Sequence, residues 1–194
     1  GSGRITFPDG RTLRAAFAAH NSQPFKSIAR HLINSGEITR AQAGMADIKA
    51  WLERVDKKQA QDALNINPRY VWFTAQPIDD PTKGPAGAQG APLTPMGSMA
   101  VDLDMHPLGV PMFVDSTLPT RPGDWKGAPY RGLVIAQDTG GAIKGAVRGD
   151  FFYGWGDKAG GLAASTNHEM ALYVLLPHSV ADSLPENILI QSDE

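Results

Sequence analysis

The sequence predicts a mainly β protein, a small closed or nearly closed barrel with a helical appendage at about residues 24–66. Three observations predict it. Short β-prone segments recur between Gly and Pro residues in the second half of the chain. Apolar residues recur at helical spacing in one early stretch. No self-similarity at a period of roughly 20 to 50 residues signals a repeat array. A chain of 194 residues, 42% hydrophobic and 20% charged, is long enough to bury a core as one domain with an appendage.

Residues 4–18 read as a hairpin: Ile5 and Phe7 alternate, Pro8-Asp9-Gly10 turns the chain, and Leu13 and Phe17 follow. From Pro24, suited to a first helical turn, Phe25, Ile28, Leu32 and Ile33 fall at helical spacing as far as about Asn34, and Gly36 supplies a stop. Thr39-Arg40-Ala41-Gln42 has the form of a capping box, and Met45, Ile48, Leu52 and Val55 then lie on one stripe. Asp56 to Gln59 opens a further helix that ends before Asn67-Pro68. At Tyr70-Val71-Trp72-Phe73 the texture becomes β-prone, and residues 77–95, rich in Pro, Gly and Ala, read as a long surface loop of the kind that can flank a cleft. Strands are expected at 98–103, 111–115, 131–137, 147–153 and 171–176.

A net charge of −2 and the lack of any Lys/Arg run argue against an electrostatic grip on nucleic acid or on an anionic membrane. The absence of cysteine removes disulfides, thiolate zinc sites and a thiol nucleophile. Gly1-Ser2-Gly3-Arg4 has neither a basic nor an apolar leader region, so no export signal is expected within this chain. No apolar run approaches the ~20 residues that cross a bilayer.

Four aspartates stand at the ends of β segments: Asp102, Asp115, Asp138 and Asp150. Aspartate is depleted within strands, although a turn-capping role accounts for any one of them singly. Asp138 and Asp150 form a more specific pair, because the glycine-rich stretch between them would return the chain and bring both carboxylates to one cleft. Close carboxylates cannot both ionise easily, and one then keeps its proton, as a general acid must. Lys144 and Arg148 would oppose that effect if they pointed inward. Phe151, Phe152, Tyr153 and Trp155 follow Asp150; core packing accounts for about half of such a run by strand alternation, and Tyr153 or Trp155 could present a ring to a sugar. His20, His31, His106, His168 and His178 are scattered without ligand spacing, so no metal and no cofactor is expected. Gly140-Gly141 lacks the order of a nucleotide loop, and no serine stands in a nucleophile elbow.

Together these residues resemble the membrane-bound lytic transglycosylase A family and its three-aspartate, or 3D, double-psi β-barrel domain. The likeness is carried by Pro92-Leu-Thr-Pro95, Ser98-Met-Ala-Val-Asp102, Pro107-Leu-Gly-Val-Pro111, Gly156-Asp-Lys-Ala-Gly160 and Tyr173-Val-Leu-Leu-Pro177. The longest stretch is Val134-Ile-Ala-Gln-Asp-Thr-Gly-Gly-Ala-Ile-Lys-Gly-Ala-Val-Arg-Gly-Asp-Phe-Phe-Tyr-Gly154. Earlier segments, Gly36-Glu-Ile38 and Asn67-Pro-Arg-Tyr-Val71 among them, extend it over nearly the whole chain.

The resemblance implies a six-stranded double-psi barrel over 70–194, a helical segment over 21–69, and at 1–20 a hairpin ending an inserted domain whose remainder lies outside this chain. It implies cleavage of the β-1,4 bond between N-acetylmuramic acid and N-acetylglucosamine with 1,6-anhydromuramoyl ends, with Asp150 as catalytic residue, Asp138 beside it and Asp102 in support. Thr94, Gly140, Gly141, Lys144, Tyr153 and Trp155 are the expected substrate contacts. Glycan strands of peptidoglycan are the expected partner, with a further N-terminal region of the same enzyme. The expected location is the periplasmic face of the outer membrane, with the full-length protein anchored there. The rival reading is a glycan-binding barrel without catalysis, as in expansin-like modules of this architecture; a hydrolase that uses two carboxylates and water is a second rival.

Overall fold

The computed structural model describes residues 2–78 and 80–184, arranged as two compact units that divide at Ile78 and Asp79. In the first unit, β1 (Ser2–Thr6), β2 (Thr12–His20) and β3 (Val71–Pro77) form an antiparallel sheet in the order β1-β2-β3. The β1–β2 turn falls where Pro8-Asp9-Gly10 predicts it. Gly10 takes φ +85°, which an L side chain resists, and the Asp9 carboxylate accepts from the Arg11 amide at 3.0 Å.

The helix expected from Pro24 begins later, as α1 (Ile28–Asn34), because Ser27 caps it and the preceding residues have other partners. The Lys26 amide donates to Asn67 Oδ1, Arg69 Nε donates to the Gln23 carbonyl, and Asn21 Nδ2 donates to the Pro68 carbonyl at 2.8 Å. Phe25, expected on the helical stripe, is consequently exposed. Thr39 and Gln42 close a single 3-10 turn, after which α2 (Met45–Arg54) and α3 (Lys57–Asn65, capped by Asp56) follow. Leu32, Ile38, Trp51 and Ala63 make this unit's core. Trp51 is buried with its indole N–H donated to Glu37 Oε2 at 2.9 Å, so the ring buries no orphaned donor.

The strand expected to open the barrel at Tyr70 instead completes the first sheet: β3 pairs with β2, Phe73 opposite Phe17. That pairing joins residues more than fifty positions apart, which no local pattern specifies.

In the second unit, β4 (Ser98–Val101), β5 (Pro111–Leu118), β6 (Ala128–Asp138), β7 (Gly149–Phe151) and β8 (Met170–Val174) form one sheet in the order β7-β4-β6-β5-β8. Only the β4–β6 pair is parallel. Met99, Val101, Met112, Val114, Val134 and Ala136 are fully buried from the three inner strands. Phe151 on one edge strand and Met170 and Leu172 on the other pack against this same cluster, so the sheet curls into a half-barrel. All five strands expected between 98 and 176 are present.

The sequence did not announce α4 (Gly156–Ala164), whose three glycines read as loop. One of them has a packing reason. A Cβ on Gly161 would stand 2.6 Å from Pro122 Cγ, and Ser165 at the helix end accepts from the Gly123 amide at 2.7 Å, which ties α4 to that turn. A short α5 (His178–Ala181) follows β8. The stretch expected as an open surface loop lies against the end of β6: a Cβ on Gly87 would meet the Gln137 carbonyl at 2.4 Å, and Leu93 is buried. Residues 185–194 of the expected barrel segment lie outside the described residues.

Candidate active site

The site is built around β4. Ala100 has Asp138 of β6 as its partner on one side and Asp150 of β7 on the other. Two strand spacings of about 4.8 Å each therefore separate the two aspartate backbones, roughly 10 Å in all. The register brings them to one level of the sheet.

Alternation on β7 fixes where Asp150 points. Gly149 pairs with buried Val101, and a Cβ there would meet Met99 Sδ at 2.6 Å and Met170 Cε at 3.1 Å, so Gly149 faces the core. Asp150, the next residue on the strand, faces away from it, and Arg148 directly precedes the strand. Both line an open cleft of about 1100 Å³, whose walls also include Lys144, Tyr153, His168 and Met170.

Asp150 is half exposed, and Arg148 Nε donates to its Oδ1 at 3.0 Å. Its charged neighbour is thus a guanidinium, where the sequence suggested a second acid. The carboxylate of Asp138 is occupied elsewhere, accepting from the Ala88 amide at 3.0 Å and so holding the 85–93 loop to the end of β6.

Asp102 has yet another role. It is buried, and its carboxylate accepts from the Gly145 amide at 2.9 Å, from Lys144 Nζ at 2.9 Å and from the Asp104 amide at 3.3 Å. The Gly145 amide first, and then Lys144, hold this carboxyl below the usual carboxylate range. Lys144 is raised in turn, chiefly by Asp104 and then by Asp102. His106, also buried, sets Nε2 2.6 Å from the Ala146 carbonyl, and Thr139 Oγ1 donates to the Val101 carbonyl. The segment that leads from Asp138 to Asp150 is therefore pinned at Thr139, Lys144, Gly145 and Ala146 before it enters β7.

Of the expected substrate contacts, Lys144 and Tyr153 line the cleft with Asp150. Tyr153 Oη is 2.8 Å from Thr166 Oγ1, and burial of the ring raises its phenol. Thr94, Gly140, Gly141 and Trp155 are not among the cleft walls; Thr94 sits in the turn before β4 and Trp155 at the N-terminus of α4. The sequence reading passed over Thr166, Asn167 and Glu169, which with His168 form the wall that leads into β8. The signal available was a polar Thr-Asn-His-Glu run abutting a β-prone segment. Among the described residues no three His, Asp or Glu side chains gather as a metal site.

A curled sheet that sets one outward carboxylate over an open cleft belongs to a known class: residues 97–176 match the 3D domain, and residues 1–74 match the MltA specific insert domain. The membrane-bound lytic murein transglycosylase A of Vibrio cholerae is 36% identical over 169 residues, covering 87% of this chain and 45% of the relative. That of Escherichia coli K12 is 34% identical over 176 residues, covering 90% of this chain and 47% of the relative. Among solved structures, MltA from Neisseria gonorrhoeae in its monoclinic form superposes with a TM-score of 0.79 at 37% identity, covering 91% of this chain and 43% of the other. Escherichia coli MltA with bound chitohexaose superposes with a TM-score of 0.78 at 29% identity, covering 90% and 51%. The chain belongs to the membrane-bound lytic transglycosylase A family. It spans about half the length of the curated relatives it matches. Among the described residues no helix is long and apolar enough to cross a membrane.

Proposed function

We propose that this chain carries the proton-transfer carboxylate of a peptidoglycan lytic transglycosylase, and that Asp150 is that carboxylate. The observation that carries the reading is the outward placement of Asp150 over a cleft with room for sugar rings, on a strand whose neighbouring glycine is turned to the core. Membership of a family whose relatives are named lytic murein transglycosylases supports it, as does the chitohexaose bound by the Escherichia coli relative.

In the mechanism this implies, protonated Asp150 donates its proton to the oxygen of the N-acetylmuramic acid to N-acetylglucosamine bond, and that bond breaks with oxocarbenium character at the muramic C1. The C6 hydroxyl of the same sugar then attacks C1, and its proton returns to the Asp150 carboxylate. The products are a 1,6-anhydromuramoyl end and a free N-acetylglucosamine hydroxyl, with no water consumed. Asp102 acts by fixing the wall from which Lys144 projects, and Asp138 by holding the 85–93 loop. Lys144, Tyr153, Thr94, Gly140, Gly141 and Trp155 remain the proposed contacts along the strand, the last four at its more distant sugars.

We further assign the half-barrel of the second unit to a six-stranded double-psi barrel. The 1–20 hairpin we assign to the end of an inserted domain and 21–69 to the helical segment beside it, so that the whole enzyme places its cleft against a further region. A protein of this function works at the periplasmic face of the outer membrane, consistent with relatives named membrane-bound.

The test is digestion of purified sacculi by the intact protein and by Asp150→Asn, with the muropeptides analysed by mass. Anhydro products lost on substitution support the assignment, and equal product from both proteins removes Asp150 from the role. One observation favours a second reading, a glycan-binding module without catalysis: Asp150 is half solvated and tied to an arginine. That reading predicts strand binding with no product from either protein. Reducing ends in place of anhydro ends would indicate hydrolysis with water.

A further inference from the structure

Arg148, just before β7, and Asp150, on it, both line the cleft, and the guanidinium meets the carboxylate through Nε alone, at 3.0 Å. Each side chain is 52% exposed, so the pair is a single-point contact in partial water, a weak and easily exchanged kind of ion pair. Arginine has five N–H donors in a fixed fork, and among the described residues only one of them is engaged here. The cleft's lysine is committed by contrast, since Lys144 is bound by both Asp102 and Asp104. Arg148 is therefore the cleft cation with donors to spare, and it stands on the atom that the proposed chemistry needs.

We propose that Arg148 is a specificity residue that recognises a carboxylate on the glycan strand and, in doing so, uncovers Asp150. A strand carboxylate can take the guanidinium in the bidentate mode, which is stronger than the one-point contact it replaces. Drawing Arg148 toward that anion leaves Oδ1 of Asp150 open to the glycosidic oxygen. The protein then distinguishes a charged strand from a neutral one of the same sugar backbone. A murein strand has two sources of such a group, the lactyl carboxylate of a muramic residue without its peptide and the carboxylates of the stem peptides. This inference rests on the reading of Asp150 given above for its consequence, although recognition by Arg148 can be measured without turnover.

The experiment compares the intact protein with Arg148→Gln and Arg148→Lys on three solubilised strand preparations. One bears peptides, one is stripped of them so that lactyl carboxylates are free, and one is stripped and then amidated to neutrality. Affinity is read by calorimetry, and KM and kcat by release of anhydro ends. The intact protein is expected to bind one or both charged strands about tenfold more tightly than the amidated strand, the scale of a hydrogen-bonded contact to a charged group. In Arg148→Gln that ratio falls toward one, Arg148→Lys keeps part of it, and the loss appears in KM more than in kcat. Loss of preference with the stripped strand assigns the lactyl group, and loss confined to the peptide-bearing strand assigns the stem peptide. An unchanged ratio in Arg148→Gln, or no preference in the intact protein, overturns the proposal. A preference that depends on Arg148, in a protein that releases no anhydro ends, leaves recognition standing and removes the proposed reaction.

Discussion

Asp102 directly follows β4 and Asp150 stands on β7 of the same sheet, and their surroundings differ in the contacts that decide what a carboxylate can do. Asp102 is buried and saturated, with two backbone amides and an ammonium donating to it. Asp150 is half exposed on an edge strand with one arginine as its partner, over open space. A saturated carboxylate is a fixed anion that organises backbone, and a lightly held one is available to exchange its partner for a ligand. The contrast supports the proposed division into a scaffold acid, Asp102, and a working acid, Asp150, without reference to any pattern of residue types.

The largest effect that would break this comparison is on activity. On the proposed assignment Asp150→Asn removes the transferable proton, and release of anhydro ends is expected to fall by about 10²–10⁴-fold, the usual contribution of a positioned acid or base. Its melting temperature is expected to match that of the intact protein, since the group lost is solvated and singly paired. Asp102→Asn should do the reverse at the level of folding. It leaves Lys144 and the Gly145 amide without their carboxylate, so the melting temperature falls while residual activity persists. If Asp150→Asn proves the less stable of the two, the division into scaffold and working acid fails.

Next in size is the support beneath β7. Met99 fills the space that a side chain at position 149 would need, and strand alternation then turns Asp150 outward. Met99→Ala is expected to cost about 2–5 kcal/mol in denaturant unfolding, as for other buried large-to-small changes. Activity should fall further than the unfolded fraction explains, because the edge strand loses its backing. Retention of full specific activity by the folded fraction would show that Gly149 alone sets the orientation.

Acid titration sharpens the same contrast. Asp102 lies below the ordinary aspartate value in the folded protein, and Asp124 lies at about 2, held chiefly by the Thr120 hydroxyl and amide and then by the Gly127 amide. A carboxyl with a depressed folded value adds stability that is complete above its unfolded value, about 4, and is lost as pH falls through the folded value. Melting temperature is therefore expected to decline from about pH 4 downward, and Asp102→Asn and Asp124→Asn should each flatten that decline. A decline equally steep in both variants would locate the acid-sensitive groups elsewhere.

How much of this was legible in the sequence follows from the range of each interaction. Local signals served well: the Pro8-Asp9-Gly10 turn, the Asp56 cap and the five strands of the second unit all depend on neighbours within a few residues. Asp150 could be singled out by its motif, and its outward direction follows once Gly149 is seen to be the residue with no room for a side chain. Pairings set by distant partners were hidden. Nothing near Val71 indicates that it joins β2, nothing near Asp102 indicates Gly145, and the 85–93 loop that claims Asp138 lies some fifty residues before it. The helix α4 was hidden for a different reason, since its three glycines, one of them required for contact with Pro122, lower the helical signal that would have revealed it. The expected meeting of Asp138 with Asp150 was drawn from a flexible connection between them. The register across Ala100 and the Ala88 amide decide otherwise.

The smallest expected effect concerns Tyr153, which lines the cleft with Asp150. Thr166 Oγ1 donates to the Leu162 carbonyl at 2.9 Å, so its proton is committed and the Tyr153 hydroxyl must be the donor in the 2.8 Å contact between them. Tyr153→Phe keeps the ring against Phe151 and removes that one bond, leaving Thr166 with an unused acceptor at the cleft surface that water can reach. A loss of about 0.5–1.5 kcal/mol in denaturant unfolding is expected, the net worth of one hydrogen bond. If the ring also carries a sugar, KM for glycan strands stays near that of the intact protein in Tyr153→Phe and rises in Tyr153→Ala, because stacking needs the aromatic face and not the hydroxyl. Equal KM values in both variants would confine Tyr153 to the wall and leave Arg148 as the residue proposed to read the strand.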